Sequence, residues 1–192
     1  MNRKILGFLP FLIFVFLCVF LYQGLFGNPR ELQTGRLGQA MPSFNLPDLM
    51  SDQKRWTEKD LLGEVYLMNV WGTWCPTCIA ELGYLTKLRE QGIKIVGLYY
   101  EQAYDPDFGD HFDMQALRAE VQSMLGRAGN PYQFNILDLE RSLALDLGVS
   151  GAPETFLVDK QGTILLHHTG DINQRVWRNK FLPALEELRD EN

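Results

Sequence analysis

The sequence predicts an α/β domain behind an N-terminal apolar helix. Three observations carry this. The strand-forming run Val65-Tyr66-Leu67-Met68-Asn69-Val70-Trp71 leads through Trp74-Cys75-Pro76-Thr77-Cys78 into a helical pattern, a second nearly continuous apolar run fills residues 93–100, and residues 5–22 contain no charged or amide side chain. At 192 residues and 46% hydrophobic, the chain suffices for one domain of common size plus an appendage.

The apolar stretch comes first. Its 18 residues just reach the roughly 17–25 needed to cross a bilayer as helix. A cleaved signal peptide would want small residues at the third and first positions before the cut, and neither Gly24-Leu25-Phe26 nor Leu25-Phe26-Gly27 supplies both. We therefore expect a retained anchor over residues 5–25, with 1–4 as a cytoplasmic N-terminus, 26–40 as a tether and 41–190 as the globular domain. Cys18 follows the bulky Leu17 and is an ordinary apolar anchor residue. Arg3 and Lys4 precede the run, and positive residues tend to stay inside, so the domain is expected outside, in the periplasm of a Gram-negative bacterium.

Charge narrows the partners. The first thirty residues hold three basic side chains and no acid, against 18 basic and 24 acidic residues in the whole chain, so the domain is acidic and a poor nucleic-acid binder.

Within the domain, residues 41–49 alternate between prolines and suit a short edge strand, with Trp56 and Thr57 in its partner. The strong strand at 65–71 follows a turn at 60–63. Beyond Cys78, the spacing of Ile79, Leu82, Leu85 and Leu88 predicts a helix ending at Gln91-Gly92. The run at 93–100 is then a buried strand parallel to the first, which completes a βαβ unit with the dithiol at its first turn. A polar loop is expected at 101–113, a helix at 114–125 on Leu117, Val121 and Leu125, a short strand at 134–137 and a short helix at 141–147 closed by Gly148. Residues 149–158 enter a strand, Lys160-Gln161-Gly162 makes a hairpin turn, and 163–168 returns antiparallel. Pro153 is a candidate cis proline. Asn173 or Asp171 caps a last amphipathic helix that Pro183 should kink or restart.

The chemistry lies in the dithiol. At a helix N-terminus, the first cysteine meets unpaired N–H groups and the positive end of the macrodipole, which favour its thiolate. Cys75 is the candidate nucleophile. Cys78, one turn on, is the candidate resolving thiol that closes the redox disulfide Cys75–Cys78. A zinc site lacks ligands, since the remaining candidates are Cys18, His111, His167 and His168. A purely structural bridge over so short a loop gains little chain entropy. His167 and His168 suggest a metal or proton site, but neighbours on a strand face opposite sides. No metal or other cofactor is expected.

The element order, the W-C-x-x-C turn and the later G-x-P at a strand start resemble the thioredoxin fold over residues 43–189. More narrowly, five stretches resemble the membrane-tethered DsbE/CcmG family of thiol:disulfide interchange proteins: Phe44-Asn45-Leu46-Pro47-Asp48-Leu49, Asn69-Val70-Trp71-Gly72-Thr73-Trp74-Cys75-Pro76-Thr77-Cys78, Gly129-Asn130-Pro131-Tyr132, Asp146-Leu147-Gly148-Val149 and Gly151-Ala152-Pro153-Glu154-Thr155-Phe156. The resemblance implies a thioredoxin-like reductase that opens a disulfide in apocytochrome c or its handling partner during cytochrome c maturation. A membrane electron donor of the DsbD or CcdA type would reduce it again. Glu81 and Glu154 match acidic positions of the family and are expected to take part in catalysis, as carboxylates near a dithiol raise thiol pKa values and carry protons. Trp74, Pro76, Thr77, Ala152 and Pro153 are the candidate substrate-binding residues.

Two departures stand out. Asn69 occupies the place of the buried aspartate of general thioredoxins, and the segment 101–127 is longer than the family's usual one, where added length commonly carries partner preference. Two other readings stay open: the same chemistry on another periplasmic client, such as an oxidase copper-site protein, or a non-redox module that binds a partner or Cu(I). The last lacks the nearby Met or His ligands that would favour it.

Overall fold

The computed structural model describes residues 3–26, 35–102 and 113–190. It divides into two units, 1–32 and 33–192. The first contains helix α1 (Arg3–Phe26), in which side chains are described from Pro10 to Tyr22. Among the described residues no helix is long and apolar enough to cross a membrane. Most of the expected tether, most of the polar loop at 101–113 and His111 lie outside the described residues.

The second unit is a seven-stranded sheet in the order β2-β1-β5-β4-β3-β6-β7. β1 (Asn45–Asp48) and β2 (Ser51–Thr57) form an antiparallel hairpin, with Leu46 opposite Trp56. A single 3-10 turn (Glu58–Leu61) leads to β3 (Tyr66–Trp71), which is buried at every position. β3 pairs in parallel with β4 (Ile95–Tyr99) through helix α2 (Pro76–Glu90), so the predicted βαβ unit stands. α3 (Met114–Ala128) continues a turn past its predicted end and stops at Gly129, whose φ of 106° suits glycine. β5 (Asn135–Leu137), α4 (Ser142–Asp146), β6 (Glu154–Val158) and β7 (Ile164–Thr169) follow, with β6 antiparallel to both β3 and β7.

β1 corrects one expectation. It is not an edge strand: β2 holds the edge and β5 pairs with β1 at Asp48. Pro47 is tolerated because β5 pairs with β1 at Asp48 alone, so the proline has a strand partner on one side only, Arg55 of β2. Its edge role passes to Ser51–Thr57, where exposed Asp52, Lys54 and Arg55 discourage further pairing.

The C-terminal helix also follows its sequence. Asn173 Oδ1 accepts from the N–H groups of Arg175 and Val176 to cap α5 (Gln174–Val176). A π-helical turn (Trp177–Phe181) then precedes α6 (Leu182–Asp190). Pro183 has no N–H to give the preceding turn, and the restart falls beside it.

Side chains alternate across the sheet and make two cores. Leu67, Trp71 and Tyr99 pack with α2, α3 and the C-terminal helix on one face; Met68, Val70, Val96 and Phe156 pack with α4 on the other. Gly97 at the sheet centre is required by close approach, since a Cβ there would fall 2.0 Å from Asn135 Oδ1.

Candidate functional site

The carboxyl end of β3 delivers the chain into α2 through 72–75. Cys75 is the N-cap of α2, with Pro76 at the first helical position, where its missing N–H costs nothing. The pair Cys75–Cys78 is bridged. Cys75 Sγ accepts the Cys78 N–H at 3.1 Å, the orphan donor that a helix start offers. The same sulfur lies 3.4 Å from the carbonyl oxygen of Ala152, and the Ala152–Pro153 peptide is cis. Cys75 is 4% exposed and Cys78 fully buried, so a client reaches the first sulfur only.

The candidate substrate-binding residues belong to the two segments that meet at that sulfur, 74–77 and 152–153. Pro76 and Thr77 are exposed at the start of α2, and Pro153 is buried behind Ala152. Trp74 is half-buried, its Nε1 donating to the Tyr100 carbonyl at 2.9 Å and its ring meeting the Tyr100 ring edge-on. Thr73 Oγ1 and the Tyr99 hydroxyl are 3.1 Å apart, and that hydroxyl donates to Glu101.

The two acids lie on opposite faces of the sheet and do different things. Glu81 projects from α2 on the dithiol face, 3% exposed. Its Oε1 accepts from Asn69 Nδ2 at 2.9 Å and its Oε2 from the Ile172 N–H at 2.7 Å. Burial raises its pKa to about 7, against the pull of these two hydrogen bonds. Asn69 also donates to Thr155 Oγ1 at 3.0 Å and accepts from the Tyr132 hydroxyl at 2.7 Å, so both hydrogens of its amide and its oxygen are engaged. A surface groove of about 500 Å³, lined by Pro76, Thr77, Ala80, Tyr84 and residues 171–174, reaches Glu81. It links a buried carboxyl to solvent beside the start of α2.

Glu154 is on the far face, since Thr155 next to it points to Asn69. Its Oε1 accepts from the Ser150 N–H, the Ser150 hydroxyl and the Gly151 N–H, and its Oε2 is 2.6 Å from His167 Nε2. Burial alone would raise this carboxyl, but the bonds from His167 and Ser150 outweigh it and hold the pKa below the ordinary glutamate value. Among the described residues, the hydrogen bonds of Glu154 go to Ser150, Gly151 and His167, on the loop that carries Ala152 and on β7.

Sequence reasoning gives Tyr132 and Thr155 no role and does not reach the grip of His167 on Glu154. Tyr132 and Thr155 each stand in one of the five resembling stretches, which is the one signal the sequence offers for them. The two histidines do face apart: His167 stacks on Phe156, while His168 meets Phe181 on the other face. Among the described residues no cluster of metal-ligating side chains occurs.

A Redoxin family model matches residues 36–181. The thiol:disulfide interchange protein DsbE of Pseudomonas aeruginosa is 42% identical over 191 residues, covering 100% of this chain and 98% of that protein. DsbE of Vibrio cholerae is 39% identical, covering 98% and 97%. The thioredoxin domain of a thiol-disulfide oxidoreductase from Bacteroides vulgatus superposes with a TM-score of 0.55 at 18% identity, over 80% of this chain and 98% of that one. The strand order and the position of the dithiol are thus those of a thioredoxin-like α/β fold.

Proposed function

Since the chain belongs to the DsbE family of Redoxin-domain thiol:disulfide interchange proteins and is a thiol:disulfide oxidoreductase, we propose that it works as a membrane-anchored periplasmic reductase in cytochrome c maturation. The observation that carries the redox half of this reading is the Cys78 N–H directed at Cys75 Sγ, at the start of α2 and beside Ala152. A sulfur so placed is favoured as thiolate.

The exchange follows from that geometry. The Cys75 thiolate attacks one sulfur of a client disulfide, a mixed disulfide forms, and the other client sulfur leaves as thiolate and takes up a proton. Cys78 loses its proton and attacks Cys75 Sγ, which expels the second client thiol and leaves the Cys75–Cys78 bridge. Two electrons pass to the client. Glu81, buried and with its pKa near neutrality, is suited to receive the Cys78 proton and release it through the groove.

The client in this reading is apocytochrome c or a component that handles it, and a membrane donor of the DsbD or CcdA type restores the dithiol. The full-length DsbE relatives support the thiol:disulfide interchange on which this assignment rests. For the anchor, the sequence carries the reading: residues 5–22 hold no charged or amide side chain, and Arg3 and Lys4 precede them.

The reduction potential of the full chain in detergent, equilibrated against glutathione or dithiothreitol, tests the direction. A value near or below about −200 mV supports a reductase, and one near −120 mV makes it a disulfide donor and overturns the assignment. Cytochrome c content set against oxidase assembly in a deletion strain tests the client, since loss of oxidase assembly alone would redirect the enzyme to a copper-site protein.

A further inference from the structure

One buried pair in the far core has no part in the exchange steps above. His167 on β7 and Glu154 on β6 meet at 2.6 Å, with side-chain exposures of 3% and 0%. The carboxylate is a bridge: one oxygen faces β7, while the other takes three donors from Ser150 and Gly151. The next residue along is Ala152, whose carbonyl oxygen lies 3.4 Å from Cys75 Sγ. His167 is itself fixed, since its ring lies flat on Phe156 with centroids 4.3 Å apart and planes 9° from parallel. Phe156 is its direct cross-strand partner and is two residues from Glu154, so the imidazole has one direction in which to point Nε2.

We propose that His167 is a positioning residue of the redox site: it holds the Glu154 carboxylate, which holds the Ser150 and Gly151 backbone, and so keeps Ala152 against Cys75. The chain of contacts runs from β7 through β6 to the cis-proline loop and ends at the reacting sulfur. A buried carboxylate oxygen without a partner is costly. Loss of His167 leaves Oε2 in that state, and the carboxylate answers by shifting or taking up a proton. Either response loosens its grip on the two amides, and an oriented group displaced by about 1 Å can slow a reaction by about a hundredfold. The other titratable groups around the pair are Tyr100, whose phenol senses the charge of Glu154, Arg141 beyond it, and His168 on the opposite face. None of these is shown bonded to Glu154 Oε2 among the described residues.

The proposal concerns the exchange chemistry and not the client, so its test uses the full chain, reduced, with glutathione disulfide as oxidant at pH 7. His167→Phe keeps the ring on Phe156 and removes the nitrogen; His167→Gln keeps a donor. Cys75 exchange in His167→Phe is expected to slow at least about tenfold, with a displaced Cys75 thiol titration read at 240 nm, while His167→Gln stays within about threefold of the native rate. A folded His167→Phe with native exchange rate and native thiol titration overturns it. Should that variant not fold, His167→Gln decides. A native rate with the Ser150 and Gly151 amides protected from hydrogen exchange supports the proposal, and a native rate with those amides unprotected overturns it.

Discussion

The amide N–H of Cys78 points at Cys75 Sγ across 3.1 Å, in the first turn of α2. That contact rewards negative charge on Cys75 and offers nothing comparable to Cys78. The Cys75 thiol should therefore titrate below the ordinary cysteine value of about 8.5, read as thiolate absorbance at 240 nm in the Cys78→Ser variant. Cys75→Ser should abolish turnover, whereas Cys78→Ser should accumulate a mixed disulfide visible on non-reducing gels. Equal, undiminished activity in both variants would sink the assignment.

Glu81 makes stability depend on pH. Its folded pKa of about 7 exceeds the ordinary 4.5, so between those values the folded chain keeps a proton that the unfolded chain has released. Unfolding then releases a proton, and stability falls as pH rises through this window, by about 2–4 kcal/mol in all. In Glu81→Gln this part of the slope should vanish. The variant also turns an amide group toward a donor, either Asn69 Nδ2 or the Ile172 N–H, at about 1–3 kcal/mol. The expected pattern is a clear loss at pH 5 and near parity at pH 8, measured by urea unfolding at each pH. An unchanged slope would show that Glu81 is ionised throughout.

The βαβ core and the dithiol were legible because both are local. Apolar spacing along 65–100 fixes two parallel strands and the helix between them, and the cysteines sit at their junction. The partners of the acids were not legible. Glu81 meets Ile172 from 91 residues away, and Asn69 meets Tyr132 across 63 and Thr155 across 86. No periodicity reports contacts at such separations. Alternation in β6 holds a further lesson: Glu154 and Thr155 are neighbours in sequence, yet one serves the loop from the far core and the other joins the network beneath the dithiol. Pro47 misled for a different reason: β5 reaches β1 only at Asp48, so the proline is one-sided in a strand that is not at the edge.

Gly97 is the tightest point of the sheet. A methyl there would meet Asn135 Oδ1 at 2.0 Å and Trp71 Nε1 at 2.9 Å, the two ends of a buried hydrogen bond. Neither β4 nor its two parallel neighbours can move aside without losing ladder bonds. Gly97→Ala should cost at least about 2 kcal/mol, seen as a lower urea midpoint with an unchanged slope. A native midpoint would mean that the Trp71–Asn135 bond is dispensable.

Tyr132 closes the network beneath the dithiol. Burial and the nearby Glu81 charge raise its pKa well above the ordinary tyrosine value, so the hydroxyl stays protonated and always donates to Asn69 Oδ1. That donation fixes which way the Asn69 amide points, and hence that its Nδ2 faces Glu81 and Thr155. Tyr132→Phe keeps the stack on Trp71, whose ring centroid is 4.9 Å away, but leaves the Asn69 oxygen buried without its partner. The expected cost is about 1–3 kcal/mol in urea unfolding. Because the amide is then free to turn its oxygen toward Glu81, the carboxylate should also be harder to ionise. The Glu81 titration in Tyr132→Phe, followed by isotope-edited infrared or NMR, should therefore move above its native midpoint. A stability loss with an unmoved midpoint would assign Tyr132 to packing alone and leave the orientation of Asn69 to Thr155.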